Sequence, residues 1–123
     1  TQYTGYQNLK LLASIKNKIG DEDIVHALER VGLEAADKRK VRKYSLGMKQ
    51  RLGIAAAIME EPDILLLDEP FNAIDEGGLQ LIRDILADFK KAGRIVILAC
   101  HDKEELESVS DEIIKMKNGK IEV

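Results

Sequence analysis

One cysteine, Cys100, occurs in 123 residues. A lone cysteine excludes an internal disulfide and any multi-cysteine metal site, and it fits a reducing cytosol. No apolar stretch approaches the roughly 20 residues that a membrane-spanning helix needs. The run from Ile95 to Cys100 is strand-sized. No charged-then-apolar leader opens the chain, which argues against secretion, and its first residue is Thr1 rather than Met, which suits an excised fragment. Positive charge is not in excess: the net charge of −3 argues against nucleic-acid binding through bulk electrostatics. Repeats, low-complexity tracts and linkers are also lacking, so no internal domain boundary is expected. What remains, 45% hydrophobic and 33% charged residues, is an ordinary globular composition of a size for one domain or a piece of one.

Apolar spacing divides the chain into elements. Tyr6, Leu9 and Ala13, with Leu12 beside them, predict an amphipathic helix over Tyr3 to Lys16. Asp21 can cap a second helix with Ile24, Leu28 and Val31 on its apolar face and Gly32 at its end. A basic stretch from Lys38 to Lys43 leads to a segment from Leu46 to Met59 with Met48, Leu52, Ala55 and Met59 on one face. Pro62 breaks the chain, and the aliphatic run Ile64 to Leu67 predicts a strand buried on both faces of a parallel sheet. Leu79, Ile82, Leu86 and Phe89 form another helical stripe, Gly93 ends it, and Arg94 to Cys100 reads as a second buried strand. Asp102 and Glu105 have capping-box spacing before a short helix. Ile113 to Met116 and Ile121 to Val123 flank Asn118-Gly119, a two-residue hairpin signal. The fold class expected is α/β, with two parallel strands joined by a right-handed crossover and a nearly all-helical first sixty residues.

In an open parallel sheet, ligands bind beyond the carboxyl ends of the strands. Asp68 and Glu69 end the first strand and His101 follows the second. Adjacent strands lie about 4.8 Å apart, so the three side chains can converge. Paired carboxylates there can hold a magnesium ion with one oxygen set and activate water with the other. They can equally be loop residues with a helix-capping role; spacing alone does not choose.

The order of motifs does. Tyr44-Ser45-Leu46-Gly47-Met48-Lys49-Gln50-Arg51, then Ile64 to Pro70, then Asn72-Ala73-Ile74-Asp75, then His101-Asp102 follow one another at fixed distances. The series resembles the nucleotide-binding domain of ATP-binding-cassette (ABC) transporters: signature, Walker B strand, D-loop and switch histidine. Tyr3 to Lys10 is similar to the start of the family's helical subdomain, so the resemblance spans the chain. It implies part of a P-loop NTPase parallel sheet, built from the Walker B and switch-histidine strands, with a helical subdomain over 1–60, the C-terminal part of the ATPase core over 61–123, and a C-terminal β-hairpin. It further implies that Asp68 holds Mg2+, that Glu69 is the general base, that His101 senses the γ-phosphate, and that Asp75 organises a dimer interface. Ser45 and Gly47 would stand at a helix start, where unbonded N–H groups and the helix dipole favour a phosphate, here of ATP held by a second nucleotide-binding domain. Tyr44, Leu46 and Met48 replace the Leu, first Gly and Gln of the common Leu-Ser-Gly-Gly-Gln signature. This form is similar to that of drug- and peptide-antibiotic exporters. Alternatives within reach of the same motifs are a cassette ATPase of DNA repair or chromosome maintenance, or a catalytically dead interaction module.

A Gly-x-x-x-x-Gly-Lys-Ser/Thr loop, whose backbone wraps the β- and γ-phosphates, occurs nowhere in the chain. Gln2 and Gln7 do not sit in the context of the family's Q-loop glutamine. The expectation is a chain that begins inside the cassette and is inactive alone. It would self-associate through uncovered sheet, and its parent would be cytoplasmic, peripheral on the inner membrane face beside a transmembrane permease. The basic run from Lys38 to Lys43 is either a solvated face or an attraction toward triphosphate or anionic lipid. Cys100 reads as a small buried hydrophobe.

Overall fold

The computed structural model describes residues 2–122. Helix α1 (Gly5–Lys16) is opened by a capping box in which the Thr4 hydroxyl accepts the Gln7 N–H and the Gln7 side chain accepts the Thr4 N–H. Leu9 and Ala13 are buried as expected, whereas Leu12 faces solvent. Helix α2 (Asp21–Arg30) begins one residue earlier than predicted: Gly20 is the cap, and its N–H donates to the Asp23 carboxylate. Asp21 pairs instead with Lys10 at 3.2 Å. Ile24, Leu28 and Val31 are buried, and Gly32 (φ +76) turns the chain out of the helix.

A single 3-10 turn (Val41–Lys43) delivers the chain to helix α3 (Leu46–Ile58). Tyr44 anchors that delivery. Its ring is buried, its hydroxyl lies against Gly5 where an added Cβ would be 2.5 Å away, and burial pushes its pKa up. Leu52, Ile54, Ala55 and Ile58 join the core, with small residues allowing close approach.

Strand β1 (Ile64–Asp68) pairs in parallel with β2 (Ile95–Ala99), Leu66 opposite Ile97 and Asp68 opposite Ala99. Helix α4 (Glu76–Lys91) connects them, burying Ile82, Ile85, Leu86 and Phe89, and Gly93 (φ +77) ends it as expected. Helix α5 (Lys103–Val109) and the hairpin β3 (Met116–Lys117) and β4 (Lys120–Ile121) complete the chain. Asn118 and Gly119 both have positive φ, as a tight primed hairpin turn requires. Val123, assigned to the second hairpin strand from sequence, lies outside the described residues. At α5 the Asp102 carboxylate accepts the Glu105 N–H, but Glu105 turns to Arg83 of α4 at 2.8 Å instead of closing the box.

One hydrophobic core runs from Leu9 through the sheet to Phe89. The sheet departs from expectation. Leu65 and Leu67 are buried, but Ile64, Leu66, Ile95 and Ile97 remain 54%, 66%, 57% and 54% exposed. α3 and α4 pack on β1 and β2, and no described element covers the other face. An unbroken aliphatic run signals that both faces need cover; it does not supply the second layer.

Candidate functional site

The site lies at the carboxyl ends of β1 and β2, where parallel pairing carries both chains to one edge. Glu69, the first residue past β1, donates its N–H to the Ala99 carbonyl at 2.7 Å, extending the parallel ladder by one bond. Its carboxylate Oε1 contacts His101 Nδ1. The His101 ring is almost wholly exposed, while the Glu69 side chain is 23% exposed. The predicted convergence therefore holds for Glu69 and His101.

Asp68 differs. It continues the pleat of Ile64 and Leu66 and faces the uncovered side of the sheet, where nothing described bonds to its carboxylate. Near it, α3 and the end of β1 border an open cleft of about 220 Å³ lined by Gln50, Gly53, Ala57, Leu66 and Asp68. Among the described residues no three His, Cys, Asp or Glu side chains cluster as metal ligands. The donor set is thus one exposed carboxylate. That suits Mg2+, which keeps several waters and takes one or two protein carboxylates alongside substrate phosphates.

Ser45 caps α3: its Oγ accepts the Met48 N–H at 3.1 Å, and its carbonyl accepts from Lys49. The Leu46 and Gly47 N–H groups of the first turn then have no intrahelical acceptor. Leu46, at the position of the common signature's first glycine, has no positive φ, because it starts a right-handed helix; its side chain is 72% exposed. Gly47 is constrained by its neighbour: an added Cβ would lie 2.6 Å from the Ala73 carbonyl oxygen.

That oxygen belongs to the turn that carries Asn72 to Asp75. Asp75 caps α4, accepting the Gly78 N–H at 2.9 Å and an Arg51 N–H at 3.0 Å. Gly78 sits so close beneath Arg51 that a Cβ would meet its Nη2 at 2.5 Å. Glu69 and Ala73 both occupy left-handed backbone, φ 48 and 60. Gln50 donates from Nε2 to the Glu69 carbonyl at 2.6 Å. In the sequence Gln50 and Arg51 only close the Tyr44 to Arg51 segment and carry no role of their own. Their place one turn beyond Gly47, on the face that meets the loop after β1, was the available signal. Cys100 is half-buried, and its Sγ accepts the Asp102 N–H at 3.4 Å.

Glu69 and His101 thus meet beyond the carboxyl ends of two parallel strands, where open α/β sheets bind their ligands. The ABC transporter family model matches residues 2–72, and the chain belongs to that family. It is 51% identical over 121 residues to the uncharacterized ABC transporter ATP-binding protein YybJ of Bacillus subtilis (strain 168), covering 98% of this chain and 56% of that protein. It is 43% identical over 117 residues to the bacitracin transport ATP-binding protein BcrA of Enterococcus faecalis, covering 94% and 38%. Among solved structures it resembles the ATP-binding cassette MJ0796 in a dimeric post-hydrolysis state bound to ADP and Pi, with a TM-score of 0.83 at 25% identity over 98% of this chain and 55% of that one. The chain therefore spans about half the length, or less, of the relatives it matches. No helix among the described residues is long and apolar enough to cross a membrane.

Proposed function

We propose that this chain supplies the signature helix and the hydrolytic carboxylates of an ABC transporter ATP-binding subunit, whose ATP binding and hydrolysis drive transport. The observation that carries the reading is the Glu69–His101 contact at the ends of β1 and β2. In this reading Glu69 takes the proton of the attacking water, and the contact to His101 keeps its carboxylate aimed beyond the strand ends. His101, exposed and just past the end of the adjacent strand, is available to the γ-phosphate. Asp68 would hold Mg2+, which when bound neutralises developing charge on the phosphates.

Ser45 and Gly47 present the first turn of α3 to ATP on a second nucleotide-binding domain, and Asp75 lies at that interface while capping α4. Residues 1–60 would act as the helical subdomain and 61–123 as part of the ATPase core. A transmembrane permease would be the second partner, with the subunit cytoplasmic and peripheral to the membrane. The signature's form and the bacitracin transport name of BcrA support a drug or peptide-antibiotic cargo. The transporter names of the relatives weigh against chromosome maintenance. Because no phosphate-wrapping loop occurs in the sequence, the 123-residue chain by itself would be inactive and would self-associate through the bare sheet face.

The test uses a full-length domain reconstructed by joining this chain to the part of YybJ that it does not span. Glu69→Gln should retain ATP binding and slow turnover roughly 10²–10⁴-fold, the usual contribution of a positioned base. Asp68→Asn should weaken magnesium dependence. A parental rate for Glu69→Gln would make Glu69 a structural carboxylate.

A further inference from the structure

We infer that Gln50 is a positioning residue for Glu69, holding the backbone from which the general base is aimed. The inference rests on the reading of Glu69 as that base. Residue 69 has φ 48, a region that costs a non-glycine residue on the order of 1 kcal/mol. It also precedes Pro70, whose ring pushes the preceding residue toward extended backbone, far from this φ. A residue disfavoured on both counts stays in place only if its surroundings hold it there.

Three contacts do so. The Glu69 N–H is tied to Ala99 of β2. Pro70 is fully buried behind it. The Glu69 carbonyl accepts two hydrogen bonds: a long one from the Asn72 N–H at 3.3 Å, internal to the turn, and a short one from Gln50 Nε2 at 2.6 Å. Only the second comes from another element. Gln50 lies on α3, where Leu52, Ile54 and Ala55 are packed into the core, so the donor is mounted on a rigid body. The left-handed turn swings the residue-69 side chain off the pleat followed by Asp68 and toward His101, just past the end of the neighbouring strand. Losing the Gln50 donor leaves this carbonyl with only its weaker partner and lets the Glu69–Pro70 peptide relax toward extended geometry. The carboxylate then leaves His101.

α3 is also the helix that Ser45 caps, so the helix that presents the signature is the helix that holds the base. A shift of α3 moves the Gln50 amide and with it the aim of Glu69.

Gln50→Met preserves side-chain length and packing and removes the donor; Gln50→Glu preserves length and polarity and replaces the donor with an acceptor. In the 123-residue chain labelled at its two histidines, both variants should shift the His101 ring resonances toward those of the Glu69→Gln chain, leaving His26 unmoved. A residue that merely supported α3 would not produce this signature. In the reconstructed domain, Gln50→Met should lower kcat about tenfold with KM for Mg-ATP unchanged, and should add nothing in a Glu69→Gln background. Parental His101 resonances and parental kcat in both Gln50 variants, with Glu69→Gln itself slow, would overturn the inference alone. A parental rate for Glu69→Gln would overturn the base assignment and this inference with it.

Discussion

Two glycines six residues apart would both be replaceable by alanine if helix propensity alone mattered, yet Gly47 and Gly53 should respond with opposite sign. Gly53 lies mid-helix in α3, and an added Cβ meets nothing within 4 Å. Gly53→Ala therefore removes unfolded-state freedom at no steric cost and should stabilise the chain by about 0.5–1 kcal/mol. At Gly47 the same Cβ would lie 2.6 Å from the Ala73 carbonyl oxygen. A tolerable carbon–oxygen approach is about 3.3 Å or more, so helix and turn must separate by roughly 0.7 Å.

The oxygen cannot easily rotate away, because Ala73 is itself held at φ 60 between the Glu69 turn and the Asp75 cap. Overpacking of this kind costs about 1–3 kcal/mol, and first-turn placement limits any propensity gain. Gly47→Ala should thus be destabilised by about 1–2 kcal/mol. For a chain of this size each kcal/mol moves the midpoint by about 3–6 °C, so thermal or urea melts of the two variants should diverge to either side of the parent. A Gly47→Ala chain that gained stability alongside Gly53→Ala would refute the contact between the signature turn and the D-loop, and with it the constraint ascribed to Gly47.

Titration calorimetry of the 123-residue chain with Mg-ATP should show no binding below the millimolar range, because the phosphate-wrapping loop supplies most direct phosphate contacts in this class; micromolar affinity would mean a different nucleotide site. The bare sheet face should drive weak self-association: finishing the burial of four half-exposed aliphatics on each of two copies yields about 8 kcal/mol, against a docking cost of about 4–15 kcal/mol. Light scattering at high micromolar concentration should detect it, and Leu66→Lys should abolish it; a Leu66→Lys chain that associated like the parent would exclude this face. The Asp37 carboxyl is held below its ordinary 3.8, first by the Arg39 N–H and then by the Arg39 guanidinium. A depressed carboxylate contributes stability above its unfolded pKa and loses it as pH falls through the folded value. The midpoint gap between parent and Asp37→Asn should therefore narrow as pH drops below 3.8, and a gap unchanged across that window would contradict the pairing.

Local chemistry was legible wherever its cause was local. Ile24, Leu28 and Val31 recur at helical spacing and are buried; Asn118-Gly119 tolerates the two positive φ values its turn needs; Ser45 and Asp102 cap the helices they precede. The order of the motifs sufficed to place the chain in its family, and adjacency of two parallel strands implied that Glu69 and His101 could meet. Other features depend on partners distant in sequence. Glu105 could close a capping box, yet the Arg83 guanidinium across α4 is the stronger attraction for its carboxylate. Asp21 reads as a cap until Lys10 draws it away and Asp23 takes the Gly20 N–H. Four aliphatics in a row show that β1 prefers cover on both faces, but only the packed chain reveals that its own helices cover one. The left-handed turn at Glu69 was hidden most completely: a glutamate before proline argues for extended backbone, and the hydrogen bond that overrides this comes from Gln50, nineteen residues earlier on another element.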